Sequence, residues 1–117
     1  MRIINVTKQQ ALGNNIKVAA TFFSRLVGLL ATPSLSNGAG LMIKPCSSVH
    51  TMGMRYPIDV IFVDDSDRVV KVVMGLKPSR LASQWGAEYV IELPAGTIAA
   101  TYTQKGDQLE LQEAKDH

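Results

Sequence analysis

Residues 57 to 74 read PIDVIFVDDSDRVVKVVM, two β-prone runs on either side of a short acidic turn. Ile58 to Val63 and Arg68 to Met74 are dominated by apolar and β-branched side chains, and Asp64, Asp65, Ser66 and Asp67 supply turn chemistry between them, so the stretch predicts a β-hairpin. The turn lacks the central glycine and terminal glutamate of a calcium-binding loop and is assigned to turn formation alone. Asp59 interrupts the first run. A carboxylate buried there without partners is costly, so it is expected either on a wet face or firmly paired, with Arg25, Arg55, His50 or turn amides as the candidates.

Working outward from this hairpin, Ile3, Ile4 and Val6, then Ile16 and Val18, form short β-prone pieces around Gly13, Asn14 and Asn15, which predicts an N-terminal hairpin. From Thr21 the period changes. Phe22, Phe23, Leu26, Val27, Leu29 and Leu30 recur at helical spacing, with Thr21 placed to cap and Pro33 to end the helix. Gly28 inside it implies close approach by another element. Leu41 to Ile43 and Ser47 to Thr51 read as strands flanking Pro45. Glu88 to Leu93 is a strand stopped by Pro94, Gly96 to Thr103 a short helix, and Gln108 to Leu111 a last strand after a turn at Lys105 to Asp107. Strands at short intervals with brief helices predict the α+β class. The expected architecture is a single compact domain over residues 1–111, with a mainly antiparallel, bent, barrel-like sheet and two or three short helices. Residues 112–117 form a polar C-terminal tail.

The chain has 117 residues, 46% hydrophobic and 19% charged, a balance that supports one domain with a genuine core. The net charge of +2 is small, the basic residues are scattered along the chain, and no aromatic residues alternate with them, so nucleic acid is not an expected partner. The opening MRIINV is too short for the hydrophobic region of a secretory signal, and no run approaches a membrane span. These features predict a cytoplasmic protein without membrane insertion, in which Cys46, the one cysteine, stays a reduced thiol.

Chemistry-bearing side chains concentrate between Gly40 and Asp64, GLMIKPCSSVHTMGMRYPIDVIFVD. Cys46, His50 and Asp59 are the types a thiol-dependent or hydrolytic enzyme uses as nucleophile, base and orienter. A straight strand would hold Cys46 and His50 about 13 Å apart at ~3.3 Å per residue, so that reading requires a bend. Cys46, His50, Met52 and Met54, with Met42 and Met74 nearby, have the softness of a copper site, although core filling is the ordinary use of methionine. One cysteine and two histidines leave a zinc site incomplete. Ser36 to Gly40, SNGAG, lacks the lysine and serine or threonine of a phosphate loop. Glu92 in ELPAG is a possible site carboxylate that a strand end also explains. The reading that needs no missing partner is a binding or interaction module, without cofactor or metal. Its pocket or surface is built around Cys46 and the binding candidates Arg25, His50, Met52, Met54 and Asp59, and takes a small molecule or a protein.

Several of these segments occur together in one order: Arg25 with Gly28 and Leu29, then Gly40, Leu41 and Met42, HTMGMRYPIDVIFVD at 50 to 64, ELPAG at 92 to 96, and Gly106 with Asp107. In this arrangement the chain resembles the bacterial and archaeal family called domain of unknown function 192, over nearly its whole length. Many members of that family carry an aromatic residue and a methionine at the positions of His50 and Thr51, and many are exported, whereas this chain resembles the leaderless branch with Cys46 and His50. The resemblance implies one small α+β domain with a barrel-like sheet, and it implies no established activity.

Overall fold

The computed structural model describes residues 1–19 and 37–113. The helix expected from Thr21, with Arg25 and Gly28, and the last four residues of the tail lie outside them. Ten strands and one helix are present among the described residues: β1 (Arg2–Asn5), β2 (Gln10–Gly13), β3 (Asn15–Ala19), β4 (Ala39–Ile43), β5 (Ser48–His50), β6 (Ile58–Val63), β7 (Val69–Leu76), β8 (Leu81–Ser83), β9 (Tyr89–Pro94), α1 (Thr97–Thr101) and β10 (Leu109–Gln112). They make a five-stranded sheet in the order β3-β4-β9-β6-β7, a three-stranded sheet β10-β1-β2, and a two-stranded ribbon β5-β8.

The central hairpin forms as its sequence predicts, β6 pairing antiparallel with β7 and, on its other side, with β9. Every residue of β6 is buried, because alternate side chains enter two different cores. Ile61 and Val63 pack with Ile3, Leu12, Met42, Tyr89, Ile91, Leu93, Ile98 and Leu109 between the large sheet, the three-stranded sheet and α1. Ile58, Val60 and Phe62 point the other way and pack with Leu41, Ile43, Val49, Met54, Ala82 and Val90, beneath the β5-β8 ribbon. Burying each of these aliphatic and aromatic side chains contributes about 1.5–3 kcal/mol, so a strand with both faces covered anchors the whole domain.

Two expectations are corrected. The sheet is not a closed barrel: β3 and β7 are the two edges of the large sheet, and the remaining strands form separate sheets. Its pairing is mainly antiparallel, as expected, with β3 parallel to β4. Instead of two or three short helices, one is found among the described residues. The N-terminal hairpin is formed by β1 and β2 and turns at Val6 to Gln9, where the Gln9 amide donates to the Val6 carbonyl at 3.3 Å and Gln9 has φ 55. Gly13 leads instead from one sheet to the next.

Candidate functional site

The segment from Cys46 to Thr51 runs antiparallel to Arg80–Glu88, with hydrogen bonds from the Cys46 amide to the Glu88 carbonyl at 2.9 Å, from Gln84 to Ser47 at 2.9 Å and from Thr51 to Arg80 at 2.8 Å. Within this ribbon Val49 and Ala82 face each other and enter the second core. Strand alternation then puts Ser48 and His50 on the outer side together with Leu81 and Ser83, while Met52 lies in the turn that follows β5 and Trp85 in the turn that follows β8. The exposures follow this pattern: Trp85 is 94% exposed, Leu81 70% and Met52 58%, whereas Val49, Thr51 and Ala82 are buried.

Thr51 fastens the end of the ribbon. It is fully buried; its hydroxyl donates to the Lys77 carbonyl at 2.6 Å and accepts from the Arg80 amide at 2.8 Å, while its own carbonyl accepts from the amides of Ser79 at 2.9 Å and Met54 at 3.1 Å. The turn that follows the histidine is thus tied to the loop between β7 and β8, and Met52, within that turn, is exposed.

The sequence candidates do not meet at one point. Asp59 is 1% exposed, but it lies on the first-core face of β6. Its Oδ1 accepts from the Gly75 amide at 2.8 Å, and its Oδ2 accepts from the amides of Gly96 at 3.1 Å and Ile98 at 2.8 Å. Of the partners considered from sequence, turn amides are the ones found. Cys46 packs on the second core, on the other side of the sheet, and its thiol donates to the Ser48 carbonyl at 3.1 Å. Met54 is buried in that same second core and Met42 in the first, whereas Met52 and Met74 are exposed, so the methionines are dispersed. Among the described residues no three His, Cys, Asp or Glu side chains come together. Arg25 lies outside the described residues. The carboxylate on the Cys46 side of the sheet is Glu92, fully buried and paired in register with Leu41 and Val60 of the second core.

The exposed residues Leu81, Trp85, Lys77 and Arg80 were not singled out from sequence as site residues. A period-two signal exists in LASQW at 81 to 85, but strand β8 is only three residues long and depends on its partner β5 to form.

A concavity of about 660 Å³ opens away from these residues, where Ala95, Gly96 and Thr97 meet Gly13, Asn14 and Gly38. The perturbed titrating groups also lie away from the ribbon. At Asp107 burial pushes the carboxyl up, but hydrogen bonds from the Asn5 side chain, the Gln104 amide and Lys8, together with the Lys8 charge, outweigh it and hold the group below its ordinary value. Burial, and then the hydrogen bond to Asp67, push the Tyr89 hydroxyl upward.

The sequence profile of the family DUF192, Uncharacterized ACR, matches residues 3–111. The chain belongs to the DUF192 family. Relatives of this DUF192 domain include the UPF0127 protein of Thermococcus sibiricus, 35% identical over 113 residues that span 92% of this chain and 73% of that protein. The UPF0127 protein of Pyrococcus furiosus is 34% identical over 112 residues, 92% of this chain and 96% of that one. The DUF192 fold is also seen in a crystal structure of a protein of unknown function from Novosphingobium aromaticivorans, with a TM-score of 0.77 at 19% identity, covering 94% of this chain and 82% of the other. A crystal structure from Sinorhizobium meliloti has the same TM-score and identity over 93% of this chain and 89% of its own. Among the described residues no helix is long and apolar enough to cross a membrane.

Proposed function

We propose that this DUF192 domain is a protein-interaction module whose contact surface is the outer face of the β5-β8 ribbon. The observation that carries the reading is the 94% exposure of Trp85, in the turn that follows β8, with exposed Leu81 on β8 and exposed Met52 in the turn that follows β5. An indole, a branched aliphatic chain and a thioether exposed along one short ribbon and its end turns give the composition found at the centre of protein interfaces, where tryptophan is enriched among the residues that dominate binding. His50, a binding candidate in the HTMGMRYPID motif, is on the outer side of the ribbon, and Met52, another, is in the turn beside it. Met54 and Asp59 support it from within, the first by filling the core under the ribbon and the second by bracing the adjoining sheet.

The test is site-specific photocrosslinking in cells. A photoreactive phenylalanine analogue at Trp85 is expected to give a discrete adduct of defined mass, whereas the same analogue at Tyr102, which is 71% exposed on α1's far end, is expected to give none. Equal labelling at both positions, or no adduct at Trp85, would sink the proposal.

A further inference from the structure

Net charge conceals a division of the molecule into unlike regions. Residues 44 to 56 and 71 to 87, which contain the ribbon and its flanking loops, carry Lys44, Arg55, Lys71, Lys77 and Arg80 and no aspartate or glutamate. Most carboxylates lie elsewhere: Asp59 and Glu92 are buried, Asp64, Asp65 and Asp67 form the β6–β7 turn, Asp107, Glu110 and Glu113 lie on and around β10, and Asp116 is outside the described residues, while Glu88, half-buried, ends the segment paired with Cys46.

Arg55, Lys77 and Arg80 are exposed, and the ion pair found among the described residues, Lys8 with Asp107 at 3.0 Å, involves none of them. The backbones of Lys77 and Arg80 are tied to Thr51, the residue before Met52. Farther along, the Lys71 ammonium reaches the Ser83 carbonyl at 3.0 Å, two residues before Trp85.

From these positions we infer that the partner of the ribbon is an acidic, extended protein segment with apolar side chains between its carboxylates. The inference rests on the ribbon being the interaction surface. The paired strands of the ribbon are three residues each, about 10 Å at ~3.3 Å per residue, so a short extended segment spans them from the Arg80 end to the turn that holds Trp85. Such a segment meets cations at the Met52 end and the indole at the other. A carboxylate arriving there finds no like charge on β5 or β8, with Glu88 half-buried at the Cys46 end, and gains from Arg55, Lys77 and Arg80, which are exposed and in no ion pair among the described residues, the arrangement that sets association rate and partner choice. A nucleic acid fits less well: this face offers a single exposed aromatic ring, whereas strand-binding grooves stack successive bases on several. An anionic bilayer fits less well because Ser48, His50 and Ser83 interleave the apolar groups.

Trp85 is the one tryptophan of the chain, so its fluorescence reports on the proposed contact directly. The intact protein is titrated with a peptide of alternating Glu and Leu, with its Gln and Leu counterpart, with oligothymidylate, and with phosphatidylcholine vesicles containing phosphatidylglycerol. The acidic peptide is expected to give a saturable blue shift. Its affinity is expected to fall by at least about tenfold with the Gln peptide, on raising the salt, or in the Lys77→Glu, Arg80→Glu variant. Arg55→Glu provides an independent variant should that pair disturb the loop held by Thr51. Equal binding of both peptides would overturn the acidic partner while leaving the ribbon as the surface. Tighter binding of the oligonucleotide or the vesicles, or no response to the acidic peptide, would overturn it as well. Loss of the Trp85 photoadduct instead removes the surface itself.

Discussion

Asp59 and Gly96 are 37 residues apart in sequence and joined by a hydrogen bond, the Gly96 amide donating to Oδ2 of the carboxylate at 3.1 Å. The same oxygen accepts from Ile98, so a side chain on β6 caps a helix that has no side-chain cap of its own. Gly96 is left-handed, with φ 98, which lets the chain leave β9 and turn its amides toward the carboxylate. The third bond, from Gly75, ties β7 into the same knot. The motif aspartate is therefore the joint between the central hairpin and the ELPAG turn.

Replacing Asp59 with Asn puts an amide donor against donor amides. The cost expected from losing charge-assisted bonds and stranding buried N–H groups is about 2–3 kcal/mol. For a domain of this size the melting midpoint falls by roughly 10 °C or more. Calorimetry of the variant checks this, and an unchanged midpoint would show that the amides find other acceptors.

Thr51 is a second joint, on the opposite side of the sheet. Thr51→Val keeps the shape and removes the hydroxyl, leaving the Lys77 carbonyl and the Arg80 amide without their side-chain partner. A loss of about 1–3 kcal/mol is expected, with Thr51→Ser close to wild type. Amide hydrogen exchange gives the local reading: Arg80 and Ser79 should exchange faster in the valine variant than residues of β6, and uniform exchange across the protein would count against a local joint.

How much of this was legible in the sequence depends on whether the deciding partner was nearby in the chain. The β6–β7 hairpin was legible because both strands and their turn are contiguous, and Asp64 accepts from the Ser66 and Arg68 amides as turn chemistry requires. The demand that Asp59 be paired followed from burial cost alone, but its partners at 75, 96 and 98 are a property of the tertiary fold. Gly13, Asn14 and Asn15 carry turn residues, yet the turn is made by Val6 to Gln9. The glycine is needed for another reason: a Cβ on Gly13 would stand 2.7 Å from Ile16 Cδ1 and 2.8 Å from the Gly38 carbonyl oxygen. On the ribbon the histidine and methionine were legible as unusual residues, whereas Leu81 joins the histidine only through the pairing of two three-residue strands, and Trp85 lies in the turn that this pairing positions.

Gly40 shows the same distinction between conformation and space. In sequence it reads as loop glycine, but it lies in β4, where a Cβ would meet the Glu92 carbonyl oxygen at 2.7 Å, Ile16 Cδ1 at 2.8 Å and Leu93 Cδ2 at 2.9 Å. Backbone cannot retreat cheaply, so Gly40→Ala is expected to destabilise by about 3 kcal/mol. Gly106 has open space around it but φ 96, so Gly106→Ala carries backbone strain alone, about 1 kcal/mol. Denaturant midpoints measured side by side check the order; a larger loss at Gly106 would contradict it.

The Asp107 network gives the molecule an acid-sensitive element. Asp107 is buried; its carboxylate accepts from Asn5 at 2.9 Å, from the Gln104 amide at 3.0 Å and from the Lys8 ammonium at 3.0 Å, and the Asn5 amide also donates to Thr103. These donors favour the charged form more than burial disfavours it, so the folded protein holds the proton less tightly than the unfolded chain, whose aspartates titrate near about 3.9. The unfolded state therefore binds more protons at acid pH. The stabilisation is fully present above the unfolded value and is lost as the pH falls through the lowered folded value. In Asp107→Asn the titrating group is gone, so its stability should depend less on pH in this window. The gap in unfolding free energy between wild type and variant is expected to be constant above about pH 5 and to shrink as the pH falls below 4. Denaturant unfolding at stepped pH measures that gap. A gap that stays constant or widens on acidification would mean the carboxylate is not held in its charged form by Asn5, Gln104 and Lys8.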